Sequence, residues 1–126
     1  MASRPFISVV DDDDSVRESL QSLLRSFGFA VGVFASAEEF LNSDDLRGTD
    51  CLILDVRMPG MSGIELHRHL VASHRAMPAI FITAHGSDEK VRARALSDGA
   101  VDYLIKPFTE DVLLNAVRTA LNLEVN

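Results

Sequence analysis

Cys51-Leu52-Ile53-Leu54-Asp55 decides how the rest of the chain is read: four apolar residues in succession and then a carboxylate. An unbroken apolar run this short fits a strand covered on both faces, as in a parallel sheet between two helical layers, better than a strand with one wet face. The same form recurs. Phe6 to Val10 runs into Asp11-Asp12-Asp13-Asp14, Ala79 to Thr83 closes on a hydroxyl, and Val101 to Ile105 runs into Lys106-Pro107. With Phe29 to Phe34 these make five runs rich in β-branched or aromatic residues, separated by segments of helical periodicity. That alternation reads as βα repeated five times, an α/β doubly wound fold on a parallel sheet. Gly32 interrupts the second run, which suits an edge.

The intervening segments carry helix punctuation. Val16, Leu20, Leu23, Leu24 and Phe27 fall at helical spacing before Gly28, a C-terminal stop. Ser36 with Glu39, and Ser62 with Glu65, each form the Ser-x-x-Glu pattern of a capping box. Asp88 is placed to cap a fourth helix that ends before Gly99. Thr109, followed by Glu110 and Asp111, is placed to open a fifth with the apolar face Val112, Leu113, Ala116, Val117 and Leu121. The fourth helix has a thin apolar face, chiefly Val91, Ala95 and Leu96, so it should pack most weakly and move most easily.

Composition bounds the function. A chain of 126 residues with 47% apolar and 25% charged side chains has the size and mix of one soluble globular domain, read here as residues 1–126. No apolar run approaches the roughly 18 residues of a membrane helix, and the N-terminus lacks a leader-like apolar stretch, which favours the cytosol. A net charge of -7 with no basic stripe disfavours direct contact with a nucleic-acid backbone. Any DNA contact would need another domain, beyond residue 126. The single Cys51 lies within an apolar run and reads as a buried, inert thiol.

Strands of an open parallel sheet deliver functional side chains at their C-terminal edge. There this chain places the four aspartates 11–14, Asp55, Thr83 and Lys106. Several carboxylates converging at adjacent strand ends repel one another unless a cation sits among them, and oxygen donors with room for water favour magnesium. Each feature has a plainer reading in isolation: an acidic helix cap, a turn aspartate, a surface lysine. Asp13 and Asp14 fit the cap role, while Asp11 and Asp12 follow buried strand residues directly. His67 and His69 point apart on one helix and His74 lies beyond them, a poor arrangement for zinc.

Val9-Val10-Asp11-Asp12, the stretch from Leu54 to Gly63, Ile82-Thr83-Ala84 and Lys106-Pro107-Phe108 together resemble the receiver domains of two-component response regulators. The resemblance covers essentially the whole chain. Arg57 to Leu66 and Tyr103 to Phe108 look most like the FixJ-like subgroup, whose members often carry a C-terminal helix-turn-helix. The resemblance implies a flavodoxin-like (βα)5 fold with strand order 2-1-3-4-5, and a domain that assists its own phosphorylation rather than a turnover enzyme. It implies that Asp55 accepts a phosphoryl group from a sensor histidine kinase. It further implies that Mg2+, with Mn2+ as a substitute, is held by Asp12, Asp55 and the backbone carbonyl of Arg57, Asp11 holding a water of the ion. Thr83 and Lys106 would bind phosphoryl oxygens, the Lys106-Pro107 bond would be cis, and Tyr103 would be the aromatic switch. Phosphorylation would then reshape the surface of the fourth helix, fifth strand and fifth helix, controlling homodimerisation or an output domain, commonly a transcriptional one. Arg57 and His85 would stand at the pocket mouth, where phosphate lifetime is tuned.

Three rivals are weighed. A flavodoxin-type cofactor carrier shares the fold class but would not place four aspartates where a phosphate must sit. An acid-phosphatase-like enzyme would need a second acid two residues after Asp55, where Arg57 stands, and no P-loop pattern occurs. A receiver-like interaction module that never takes phosphate is the most serious alternative, and the complete acidic set argues against it.

Overall fold

The apolar runs pair side by side in the computed structural model, which describes residues 4–84 and 89–123. Element order is β1 (Phe6–Val10), α1 (Asp14–Ser26), β2 (Ala30–Phe34), α2 (Ala37–Leu41), a 3-10 turn (Asp44–Leu46), β3 (Cys51–Asp55), α3 (Gly63–Ala72), β4 (Ala79–Thr83), α4 (Glu89–Ser97), β5 (Asp102–Ile105) and α5 (Glu110–Ala120). All five strands are parallel in the order β2-β1-β3-β4-β5, so the chain reverses direction across the sheet between β1 and β3. Gly32 does lie on an edge strand.

Side-chain alternation along each strand divides the interior in two. Leu52, Leu54, Phe81 and Tyr103 face one layer, where Phe40, Leu66, Leu70 and Ala95 of α2, α3 and α4 pack. Ile7, Val9, Ile53, Ile80 and Ile82 face the other, against Leu20 and Leu24 of α1 and Leu113, Ala116 and Val117 of α5. Every residue of β3 and β4 is buried, as an unbroken apolar run between two helical layers requires. Cys51 is fully buried, and loss of hydration pushes its thiol up to about 12, so it stays protonated and unreactive.

Most helix boundaries follow the sequence reading. Asp13 caps α1, its carboxylate accepting from the backbone N–H of Ser15 and Val16, and Gly28 at φ +92 ends that helix. Ser62 and Glu65 form the reciprocal capping box at α3, and Thr109 caps α5. The Asp88 cap lies outside the described residues. In α4 only Ala95 is buried, with Val91 and Leu96 partly so, which bears out its thin apolar face.

Several expectations are corrected. Phe27, assigned to the apolar stripe of the first helix, is 43% exposed. The helix stops at Ser26, and the turn through Gly28 carries Phe29 inward to take the buried place, its N–H donating to the Leu24 carbonyl. Val112 is exposed as well, because Leu113, Ala116, Val117 and Ala120, spaced i, i+3, i+4 and i+7, already complete the buried stripe of α5. At α2 Ser36 accepts from the Glu39 N–H, but no return bond from the Ser36 N–H to the Glu39 carboxylate is seen among the described residues, so only the serine half of the expected box is present. Phe29 and Val101 precede β2 and β5 rather than opening them, and β3 extends through Asp55.

Candidate functional site

Parallel pairing in register carries β1, β3 and β4 to the same edge, so the residues that end them meet. Asp11, directly after β1, has no exposed surface; Asp55 ends β3 and is 8% exposed; Thr83 ends β4 and is 1% exposed. Asp12 remains solvent-facing beside them. Asp11, Asp12 and Asp55 each offer a carboxylate oxygen within 4.8 Å of the others.

Lys106 follows β5 and closes the group from the far side. Three strand spacings of about 4.8 Å separate β5 from β1, roughly 14 Å, which only a long side chain helps to bridge. Its Nζ stands 3.3 Å from Asp11 Oδ2, and its backbone N–H donates to the Thr83 carbonyl at 2.8 Å. The Lys106-Pro107 peptide bond is cis, as expected. Asp11 is held further by the Asp13 N–H, which donates to Asp11 Oδ1 at 2.9 Å, and Arg17 Nη1 donates to the Asp11 carbonyl at 2.6 Å.

Asp55 has the most perturbed carboxylate of the group. Burial, then the charge of Asp11, push it from 3.8 up to about 6, against the opposing pull of Lys106 and of the Arg57 N–H, which donates to Asp55 Oδ1 at 3.4 Å. Such a carboxylate lacks its counter-charge. A hard divalent cation among three carboxylates supplies one, and the oxygen-only donor set fits magnesium in kind. The residues present therefore fit the expected ion.

The Arg57 side chain is exposed, two residues after Asp55. Tyr103 is buried, its ring centroid 6.4 Å from that of Phe81. The sequence reading has this ring rotating inward on signalling; here it already stands inside. His85 lies outside the described residues, so its place at the pocket mouth stays an expectation.

Some contributors escaped sequence reading. Gly63 opens α3 directly beneath the Asp55 backbone: a Cβ at Gly63 would lie 2.1 Å from the Asp55 carbonyl oxygen, and the Gly63 N–H donates to the Val56 carbonyl at 3.1 Å. The glycine is written in Met61-Ser62-Gly63-Ile64, but the pattern alone says helix start, not close approach. Ser8 and Thr49 share a buried 2.7 Å hydroxyl bond between β1 and the start of β3. A serine inside an apolar strand was the available signal.

Against known proteins, the family profile described as "Response regulator receiver domain" matches residues 7–118. This chain belongs to the response regulator receiver domain family. Response regulator protein TmoT of Ectopseudomonas mendocina is 49% identical over 117 residues, covering 93% of this chain and 53% of the relative. Transcriptional regulatory protein FixJ of Azorhizobium caulinodans is 44% identical over 115 residues, covering 91% of this chain and 54% of the relative. Among solved structures, that of response regulator StyR superimposes with a TM-score of 0.87 at 49% identity, covering 95% of this chain and 60% of the other. The receiver domain is thus of the FixJ-like kind, and its cluster of Asp11, Asp12 and Asp55 is consistent with a phosphoacceptor site. It spans about half the length of the curated relatives it matches. Among the described residues no helix is long and apolar enough to cross a membrane.

His67, set aside as a metal ligand by the sequence reading, is a core residue of the receiver domain. It is 3% exposed on α3, its ring edge-on to Phe81 at 5.5 Å, with Asp98 nearby in an ion pair with Arg68 at 2.9 Å. Burial lowers its proton affinity below the ordinary 6.5, with Asp98 pulling the other way. A histidine depressed in the folded state binds a proton more readily when unfolded, so stability should fall as pH drops below about 6.5. Asp55 acts in the opposite direction over the same range and is common to both proteins, so urea unfolding from pH 7.5 to 5.5 should show the native chain losing stability relative to His67→Phe; a difference that does not change with pH would contradict it.

Proposed function

We propose that this receiver domain takes a phosphoryl group from a sensor histidine kinase onto Asp55 and transmits the event as a shift in the α4, β5 and α5 surface. The observation that carries the reading is the meeting of Asp11, Asp12 and Asp55 within 4.8 Å, with Lys106 entering from the opposite side.

In this reading a carboxylate oxygen of Asp55 attacks phosphorus in line with the leaving group. The P–N bond of the phosphohistidine donor breaks, or the P–O bond of acetyl phosphate, and the electron pair leaves with the imidazole or the acetate. Asp12, Asp55 and the Arg57 carbonyl would hold Mg2+, or Mn2+ in its stead, with Asp11 binding through a water. When bound, the ion neutralises charge on the phosphoryl oxygens. Lys106 supplies a second positive charge, and the Thr83 hydroxyl a hydrogen bond, each fixed at its strand end by the sheet. The protein's share is orientation and charge complementarity.

Divalent binding has its own test. Anything that binds the folded state alone stabilises it, by about 2.7 kcal/mol at one hundred times the dissociation constant. Magnesium should raise the unfolding midpoint of the native chain, and Asp12→Asn together with Asp55→Asn should abolish the rise. Mass spectrometry after acetyl phosphate and magnesium should find a single phosphoryl group, on Asp55. Incorporation at another residue instead would overturn the assignment.

Output follows from the packing. A phosphoryl group drawing the Thr83 hydroxyl toward it leaves room beside the buried Tyr103 ring, and so favours the inward ring over an outward one; the shift equals the difference in affinity for the two states. Tyr103 borders the weakly packed α4, so its placement biases that helix. Homodimerisation, or regulation of a transcriptional output domain, would be the consequence in the cytoplasm. Tyr103→Ala should retain phosphorylation but lose phosphorylation-dependent dimerisation by size-exclusion chromatography with light scattering; an unchanged dimer would remove Tyr103 from the route.

A further inference from the structure

Beneath the sheet, at the edge opposite Asp55, two adjoining concavities of about 290 and 430 Å³ share Leu46, Arg47 and Arg75. They lie between the 3-10 turn that precedes β3 and the loop that joins α3 to β4. A five-residue strand is about 17 Å long, so this cleft and the acidic cluster sit at opposite poles of the domain.

The cleft gathers positive charge on a chain that is acidic overall. Acidic residues outnumber basic ones 19 to 12, and ion pairs among the described residues include Arg17 with Asp14, Arg68 with Asp98 and Lys106 with Asp11. Among the described residues neither Arg47 nor Arg75 makes an ion pair, although Asp44 lines the larger concavity three residues before Arg47. Two guanidinium groups without carboxylate partners thus border one cleft. Leu46, Ala76 and Met77 line the smaller concavity with apolar surface, and Thr49 lies beside them.

The backbone that presents Arg75 is unusual. His74 has φ +58, a left-handed conformation that a glycine would adopt at less cost. The turn is closed by the His74 N–H donating to the Val71 carbonyl at 3.2 Å and by the Arg75 N–H donating to the Leu70 carbonyl at 2.8 Å. Arg75 is therefore set at the cleft by an ordered turn rather than carried on a loose loop.

We infer that this cleft is a second binding site, for a compact organic oxyanion. Its carboxylate or phosphate groups would engage the forked donors of Arg47 and Arg75, and its short carbon skeleton would lie over Leu46, Ala76 and Met77. The cavity is of the size that takes a small metabolite rather than a polymer. The site stands apart from the phosphoacceptor reading and does not depend on it.

Amide chemical shifts of the native chain, in buffer stripped of divalent metal on a chelating resin, should be followed against citrate and, separately, against pyrophosphate. Sodium chloride at matched ionic strength serves as the control. Saturable shifts should cluster at Arg47, Thr49 and Arg75 to Met77, and the stronger of the two titrants identifies the source as carboxylate or phosphate. Arg47→Gln and Arg75→Gln, both at exposed positions, should each weaken binding at least tenfold with an unchanged thermal midpoint. Shifts that merely track ionic strength, that centre on Thr83 and Lys106, or that persist in the double variant would overturn the inference.

Discussion

Asp55→Asn should yield a protein that takes no phosphoryl group from acetyl phosphate and yet, without divalent metal, is more stable than the native chain. The first half follows from chemistry: an amide oxygen is a poor nucleophile, and no other carboxylate stands at the end of β3 beside Lys106 and Thr83. Labelling should fall to background, at least a thousandfold. The second half follows from burial and like charge. Lifting a carboxyl from 3.8 to about 6 corresponds to roughly 3 kcal/mol of unfavourable ionisation in the folded state, an upper bound on the gain. The folded state here binds the proton more tightly than the unfolded one, so native stability drops as pH rises from about 4 through about 6. The asparagine variant should escape that drop. Its advantage should be full above pH 6, shrink toward pH 4 and shrink again when magnesium is added to both proteins. Guanidinium unfolding at pH 7.5 and pH 4.5, with and without metal, measures all three. A variant less stable than the native chain at pH 7.5 would mean that Asp55 stabilises the fold through contacts other than its charge.

Gly63→Ala should be among the most damaging single methyl additions available. The added carbon would stand 2.1 Å from the Asp55 carbonyl oxygen, 3.0 Å from the carbonyl carbon and 3.3 Å from the Val56 Cα, all backbone atoms that no rotamer change can relieve. Either α3 retreats from β3, losing the Gly63 to Val56 hydrogen bond and part of the Leu66 and Leu70 packing, or β3 is displaced together with Asp55. Overpacking of this kind costs about 3 kcal/mol. Stability and labelling should decline together, because the strained backbone is that of Asp55 itself. Alanine at exposed Gly48, where a Cβ would meet only the Asp45 carbonyl at 4.0 Å, serves as the control and should be nearly silent. A Gly63→Ala protein with a native urea midpoint would refute the close-approach argument.

The difference between these two residues shows what the chain discloses before it folds. Asp55 announces itself because a charged residue that ends an apolar run contradicts its surroundings, and Thr83 and Lys106 stand at the ends of similar runs. Strand number, the parallel arrangement and the edge place of β2 were legible for the same reason: burial on both faces imposes a one-dimensional pattern. Gly63 carries no such mark, since its role depends on how near one backbone passes to another. Phe27 and Val112 were misplaced because periodicity fixes the direction of a stripe but not its width or the residue at which the helix ends. Nor could spacing reveal that His67 lies edge-on to Phe81, or that Arg47 and Arg75, 28 positions apart in sequence, border one cleft.

The ammonium of Lys106 is engaged with Asp11 before any substrate arrives, and three carboxylates face that single positive charge. Such a chamber is hostile to stray anions: sulfate or free phosphate drifting in meets a surplus of negative potential. Admission is therefore conditional on a doubly charged escort, and an idle domain in a phosphate-rich fluid keeps its vestibule clear until escort and activated donor coincide.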